Sequence, residues 1–248
     1  MNKKKISEVI IDNIKTLFGA LIIAILIRSL LFQPFYIPSS SMEPTLLVGD
    51  RIFASKYVYG YSKHSFPFSP NLFNERLFKK NPQRGDLVIF KTPSDNRTDY
   101  IKRLIGLPND TIQFIDGNLH INHKLVVRNK IDRSLSIRCG KFILDTNTFI
   151  ETLPNGVKHL VSYKKKGSTQ NTKLFKVPDN HFFLLGDNRD CSKDSRFLDD
   201  VGYVKNVNLV GKAKIIFFSN DTNKGSLLKI WNLKNSFRLK RFFKILKC

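Results

Sequence analysis

A lysine-bearing leader opens the chain, and an apolar run follows from Leu17 to Phe32 (LFGALIIAILIRSLLF), broken only by Arg28 and Ser29. Sixteen helical residues rise roughly 24 Å, short of a hydrocarbon core about 30 Å thick; including Ile14 to Tyr36 supplies the rest. A transmembrane anchor, a cleaved signal peptide and a buried helix are competing readings. Lys3, Lys4, Lys5 and Lys15 in front favour the anchor, and Gln33-Pro34-Phe35-Tyr36 behind it offers no small-x-small cleavage site. Arg28, near one end, can snorkel to the interface. The expectation is a cytoplasmic leader over 1–15, an anchor over 16–34, and everything after about residue 36 across the membrane.

Beyond the anchor the pattern becomes short and β-like. Runs of strand length stand at 51–54, 86–90, 111–114, 119–121, 181–185 and 214–218. Turn signals separate them: Gly49-Asp50, Arg84-Gly85-Asp86, Pro108-Asn109-Asp110, Asp116-Gly117-Asn118 and Asp187-Asn188. No long amphipathic helical period appears between 50 and 215, so the sequence predicts a mostly antiparallel β architecture. The stretch from about 125 to 176 is more polar, as an inserted subdomain or long loops would be.

Composition then narrows the function classes. The 42 Lys plus Arg against 20 Asp plus Glu give a formal charge of +22, which points to nucleic acid, an anionic membrane surface or lysine-rich drift. With 21 Phe, 13 Gly and 3 Cys among 248 residues, the chain is neither a disordered polar chain nor a collagen-like or disulfide-stapled scaffold. The last twenty-five residues carry six Lys, two Arg and no acid. Their apolar positions cluster on one side of a helical wheel, and the segment reads as a helix lying in an anionic interface or as a solvated tail outside the core.

Three cysteines cannot all pair with one another. A Cys139–Cys191 bridge is possible in an exported body, although no spacing rule supports it. His120-x-x-His123 lacks the spacing of a helical zinc motif and reads as two surface histidines, and no phosphate-cradling or dinucleotide-binding glycine loop occurs. No metal and no cofactor are expected.

Three segments carry chemistry. Ser39-Ser40-Ser41 lies between Pro38 and Pro44, in a constrained backbone directly after the membrane segment; a serine there needs a base, and no histidine stands in a plausible motif to serve. Alternation along Asp99–Pro108 puts Lys102 on the face of Tyr100 and Leu104. Desolvation lowers the pKa of such an amine, which then can take a proton from a serine hydroxyl. Gly186 to Arg196 (GDNRDCSKDSR) forms a dense polar loop after the apolar run Phe182–Leu185. Each segment also has a plain reading: a juxtamembrane linker, a snorkelling strand lysine, and a loop of surface ion pairs.

Taken in order, PFYIPSSSMEPTLLVGD, RGDLVIFK, DYIKRLIGLPND, GDNRDCSKDSR and NLVGKA resemble the type I signal peptidase family, membrane-bound serine proteases with a Ser–Lys dyad. The blocks cover roughly a third of the chain. The resemblance implies Ser41 as nucleophile and Lys102 as general base. It implies a Ser39 hydroxyl beside the Ser41 N–H as oxyanion hole, and Ser192 hydrogen-bonded to the Lys102 amine. Asp187, Asp194, Arg103 and Arg196 would hold loop and strand together. Phe35, Ile37, Met42, Leu46, Tyr100 and Ile101 match positions lining two shallow apolar pockets, which accept the small side chains of an Ala-x-Ala signal-peptide pattern.

The fold so implied is mostly β: coiled antiparallel sheets forming a catalytic domain over 35–110 and 178–220, an inserted β subdomain over 111–177, and a basic tail over 221–248. The implied partners are the signal peptides of exported preproteins and membrane lipids, with no nucleic acid. The implied location is the bacterial inner membrane, crossed once, with the catalytic domain on the extracytoplasmic side. Cys191 stands where the family usually has Asn, and Phe197–Val201 intervenes before Gly202, which puts the geometry after Arg196 in question. Two other classes stay open: a self-cleaving Ser–Lys repressor-type protease, and a non-enzymatic membrane-anchored basic protein.

Overall fold

The computed structural model describes residues 3–71, 74–168, 170–221 and 236–246. Helix α1 (Lys3–Leu30) comes first, and its stretch Val9–Leu30 is long and apolar enough to cross a membrane. Those 22 residues rise about 33 Å. Their large apolar side chains stay exposed, among them Leu17 at 70% and Phe18 at 63%, and only the end of the helix, where Ser29 is buried, packs on the protein. The helix ends earlier than the expected anchor. Residues 32–34 lie in strand β1 (Phe32–Tyr36), whose Pro34 is tolerated because β1 is an edge strand.

The remaining strands are β2 (Asp50–Ser55), β3 (Leu87–Lys91), β4 (Asp99–Gly106), β5 (Thr111–Ile115), β6 (Asn118–Ile121), β7 (Lys124–Leu125), β8 (Arg128–Cys139), β9 (Phe142–Thr152), β10 (Lys158–Lys164), β11 (Phe175–Lys176), β12 (His181–Leu185), β13 (Val204–Lys205), β14 (Leu209–Ser219) and β15 (Lys244–Ile245). One sheet runs β1-β2-β14-β3-β4-β12-β13, with β15 beside β14. A second runs β11-β5-β6-β7 and a third β10-β9-β8. Every strand pair is antiparallel.

Strands β3 and β12 of the large sheet read as apolar runs because both of their faces are covered. On β3, Leu87 and Ile89 enter a core with Met42, Leu46, Ile52 and Val210, whereas Val88 and Phe90 enter another with Tyr59, Leu104 and Leu184. On β12, Phe183 and Leu185 join Ile105, Ile112, Phe114 and Phe175 in a third core, which binds the β5–β6 hairpin to the large sheet. Segment 111–177 thus forms its own two sheets, with the second packed on the first through that core.

The tail departs from expectation. Residues 237–246 do not continue as a helix: they make a single 3-10 turn (Leu239–Arg241) and then strand β15, which takes the edge of β14 at Ile215–Ile216. Leu246 is 7% exposed and joins the first core, and Arg241 bonds both carboxylate oxygens of Asp50 at 3.0 and 2.5 Å. The free edge of β14 beyond β3 and the buried Asp50 explain why this part of the tail folds inward. The rest of the expected helix, 222–235, lies outside the described residues.

Candidate active site

Ser41 sits in a one-turn 3-10 helix (Ser40–Met42) immediately after Pro38 and Ser39. Proline fixes the entry and Ser39 is extended (φ −127°, ψ 157°), so the chain turns abruptly and sets the Ser41 hydroxyl beside strand β4. Lys102 lies mid-β4, opposite Val88 on β3. Its Nζ donates to Ser41 Oγ at 2.6 Å, and it sits 5.5 Å from the centroid of the Tyr100 ring. Lys102 is 3% exposed and Ser41 9%.

Burial pushes the Lys102 pKa down to about 8, although the Asp194 and Asp187 charges oppose the shift. A neutral amine is then accessible near neutral pH, already within proton-transfer distance of a hydroxyl. The Ser39 hydroxyl lies 3.3 Å from that of Ser41.

The loop after β12 wraps the serine turn. Asn188 N–H donates to Ser41 O (3.1 Å), Asn188 Nδ2 to Ser40 O (3.3 Å), and Gly186 N–H to Asp194 Oδ2 (3.0 Å). Gly186 is required by space: a Cβ there would lie 2.2 Å from Ser192 Oγ and 2.5 Å from Ser41 O. Arg103 clamps Asp187 through two bonds (2.8 and 2.7 Å), and Arg196 grips Asp194 from Nε and Nη2, both at 2.8 Å. Both carboxylates are held below their usual pKa: burial opposes ionisation, and the paired guanidinium outweighs it.

Two expected roles need correction. Ser192 does not hydrogen-bond Lys102; its buried Oγ has no partner and is packed beside Gly186, while the amine is engaged by Ser41. Leu46 does not line the cleft. It is fully buried in the first core, because its N–H bonds back to Met42 O (3.0 Å) and turns the side chain inward.

Phe35, Ile37, Met42, Tyr100 and Ile101 do line a cleft of about 720 Å³ that ends at Ser41 and Lys102. Ile52, Ile89, Cys139, Gly140 and Phe197 also line it, without having been expected there. Ile52 and Ile89 are central strand residues, indistinguishable by pattern from core. Cys139 and Cys191 form a disulfide, with Cα atoms 5.7 Å apart. It ties the tip of the β8–β9 hairpin to the polar loop, next to the Ser40 hydroxyl, which itself donates to Arg138 O at 2.6 Å.

Behind the loop lies a buried ion cluster that the sequence did not reveal. Arg189 pairs with Glu151 of β9 (2.9 and 2.5 Å) and donates to the Tyr163 hydroxyl of β10 (2.8 Å). His159 Nε2 lies 3.4 Å from Glu151 and 4.0 Å from Asp187, and burial pushes its pKa down, so the ring is neutral. Glu151 falls to about 2, because Arg189 overcomes the cost of burial.

A family model described as "Signal peptidase, peptidase S26" matches residues 10–218. The chain belongs to that family. As a member it is an enzyme, a hydrolase of the serine-peptidase class. It is 42% identical over 241 residues to a signal peptidase I from Rickettsia typhi (strain ATCC VR-144 / Wilmington), covering 90% of this chain and 88% of that one. A signal peptidase I from Rickettsia prowazekii (strain Madrid E) is 41% identical over 240 residues, with the same coverage. A crystal structure of a signal peptidase I from Enterococcus faecalis V583 is 28% identical, with a TM-score of 0.34, and covers 54% of this chain and 97% of that one.

Proposed function

We propose that this chain is a membrane-anchored endopeptidase that removes signal peptides from exported preproteins by Ser–Lys dyad chemistry. The carrying observation is the 2.6 Å contact between a buried lysine amine and a serine hydroxyl at the end of an apolar cleft. Neutral Lys102 takes the Ser41 proton as Oγ attacks the scissile carbonyl. The Ser41 N–H and the Ser39 hydroxyl stabilise the oxyanion. The ammonium then protonates the leaving amine, and water deacylates the enzyme with the same base.

Arg103 with Asp187, and Arg196 with Asp194, act as positioning groups that hold the β12 loop against β4. Ser192 serves as packing beside Gly186 before substrate arrives. Phe35, Ile37, Met42, Tyr100 and Ile101 offer an apolar, shallow surface that suits small side chains one and three residues before the cut, as in Ala-x-Ala. The exposed apolar span in α1 supports a single crossing, and the lysines ahead of it support a cytoplasmic N-terminus with the catalytic body outside. Membrane-held preproteins present their cleavage sites at that surface.

The test is cleavage of a preprotein by the full chain in detergent. Lys102→Ala is expected to lose about 10²–10⁴-fold, and Ser41→Ala to be inactive, with Ser39→Ala retaining measurable turnover. Wild-type cleavage by Ser41→Ala sinks the assignment.

A further inference from the structure

A second cavity, of about 630 Å³, opens where α1 leaves its apolar span. Its walls carry Arg28 from the last turn of α1, Lys56 after β2, Lys63 and His64 from the following turn, Lys91 at the end of β3, and Arg97. Two carboxylates share the cavity, and both are already engaged. Asp99 pairs with Lys91 at 2.9 Å, and Asp95 accepts from the Thr92 and Thr98 hydroxyls and from the backbone of Arg97 and Thr98. Among the described residues, no carboxylate lies within ion-pair distance of Arg28, Lys56, Lys63 or Arg97.

Two of the lining groups are built in rather than on the surface. Lys56 is 2% exposed, and its Nζ has a carbonyl acceptor, Ser65 O at 2.5 Å. His64 is 4% exposed; its Nδ1 lies 3.0 Å from the Ser69 hydroxyl, and its buried Nε2 has no partner. In the tautomer protonated at Nε2, Ser69 donates to Nδ1 and the Nε2–H lacks an acceptor. Burial, then the charge of Arg28, lowers Lys56 to about 8; burial, then Lys63 and Lys91, lowers His64 to about 4. Five cations (Arg28, Lys56, Lys63, Lys91 and Arg97) thus share the cavity with two carboxylates, an excess of positive charge that an anion relieves.

We propose that this cavity is a binding site for a phosphate group, supplied by an anionic phospholipid headgroup of the leaflet in which α1 ends. The volume falls within the range of small-molecule sites. The placement of Arg28 in the last turn of Val9–Leu30 sets the cavity at headgroup level, and to that extent the proposal rests on α1 being the membrane anchor. Phosphate oxygens accept from Arg28 and Arg97, from the Lys56 amine and from His64 Nε2–H. The acyl chains then lie along the exposed apolar face of α1.

The full chain, in nanodiscs of mixed phosphatidylglycerol and phosphatidylcholine, is released into native mass spectrometry and its retained lipid counted. Wild type is expected to keep one phosphatidylglycerol. Each cation removed costs about fivefold in retention, so Arg28→Gln/Arg97→Gln, both at exposed positions, loses about twenty-five-fold. Lys56→Met is the buried-site counterpart, and Lys173→Gln/Lys176→Gln the charge-matched control, expected to keep the lipid. Equal retention of phosphatidylcholine, or an equal loss in the control, overturns the site. Millimolar inorganic phosphate distinguishes the two sources of the group: lipid that stays bound supports the headgroup, and lipid displaced by it overturns that assignment. Preprotein cleavage in lipid-free detergent is expected to be unchanged in Arg28→Gln/Arg97→Gln, while Ser41→Ala keeps its lipid, so the lipid site and the dyad fail independently.

Discussion

Lys102, the base of the proposed mechanism, is held in a place that opposes its charge, and that opposition is measurable without any substrate. Lys102 has a pKa of about 8 in the fold against 10.5 when free. At about pH 7 both folded and unfolded chains bind the proton, so the whole difference acts against folding and is worth about 3 kcal/mol. Replacing the amine by a thioether of similar length removes that cost. Ser41 Oγ loses its partner in exchange, at about 1 kcal/mol. Lys102→Met is therefore expected to be more stable than wild type by about 2 kcal/mol near neutrality, or about 4–8 °C in Tm for a chain of this size.

The sign follows from the depressed folded pKa. Its contribution to stability is fully present above 10.5 and is lost as pH falls through about 8. The advantage of Lys102→Met should thus shrink across that window and give way above it to a deficit of about 1 kcal/mol, the lost hydrogen bond. Thermal unfolding of the full chain in detergent, followed by circular dichroism at neutral and at strongly alkaline pH, measures it. A variant less stable than wild type at neutral pH, or an advantage unchanged by pH, refutes the claim that burial depresses this amine.

Other consequences are direct. Wild-type turnover should climb about tenfold per pH unit below an apparent pKa of about 8 and level off above it; a flat profile from acid to alkaline pH removes Lys102 as the base. Gly186→Ala must push apart Ser192 and Ser41, and is expected to cost about 1–3 kcal/mol of stability and at least about 10²-fold in turnover; a near-wild-type rate would show that the loop yields. Cys139→Ser/Cys191→Ser opens a 52-residue separation, worth up to about 4 kcal/mol by loop entropy, and denaturant unfolding of the variant against wild type measures it. Arg189→Met strands the Glu151 carboxylate and should cost about 3–5 kcal/mol; pairing it with Glu151→Gln should recover part of that in the same assay.

What the sequence made legible was local. Strands β3, β5, β12 and β14 show in their apolar runs because their length and turn signals are properties of a few adjacent residues. The serine turn, the strand lysine and the polar loop are recognisable as ordered blocks, and the meeting of Ser41 and Lys102 at 2.6 Å is a matter of which strand lies beside which. The features that escaped depend on distant partners. Glu151 and His159 sit in a polar stretch, and only the approach of Arg189 from the loop makes their burial tolerable. Cys139 and Cys191 follow no spacing rule, since the hairpin that joins them is long and its tip returns by the register of β8 on β9.

The end of the tail is the sharpest instance: its wheel of apolar and basic residues predicts a helix or a solvated tail, and residues 237–246 form neither. An apolar face is satisfied by whatever surface is offered, and here the sheet offered one: β14 extends past the end of β3, leaving unpaired backbone at Ile215–Ile216 beside a buried Asp50 that needs a cation. A strand edge stabilises a short segment through main-chain bonds that no helical wheel anticipates. Arg241 supplies the charge, Leu246 closes the core, and part of the chain's excess basicity becomes structural. Charge that reads as a surface property in composition is therefore divided by the fold. Arg103, Arg189, Arg196 and Arg241 neutralise buried carboxylates, while Arg28, Lys56 and Arg97, which form no ion pair among the described residues, line the cavity beside the end of α1.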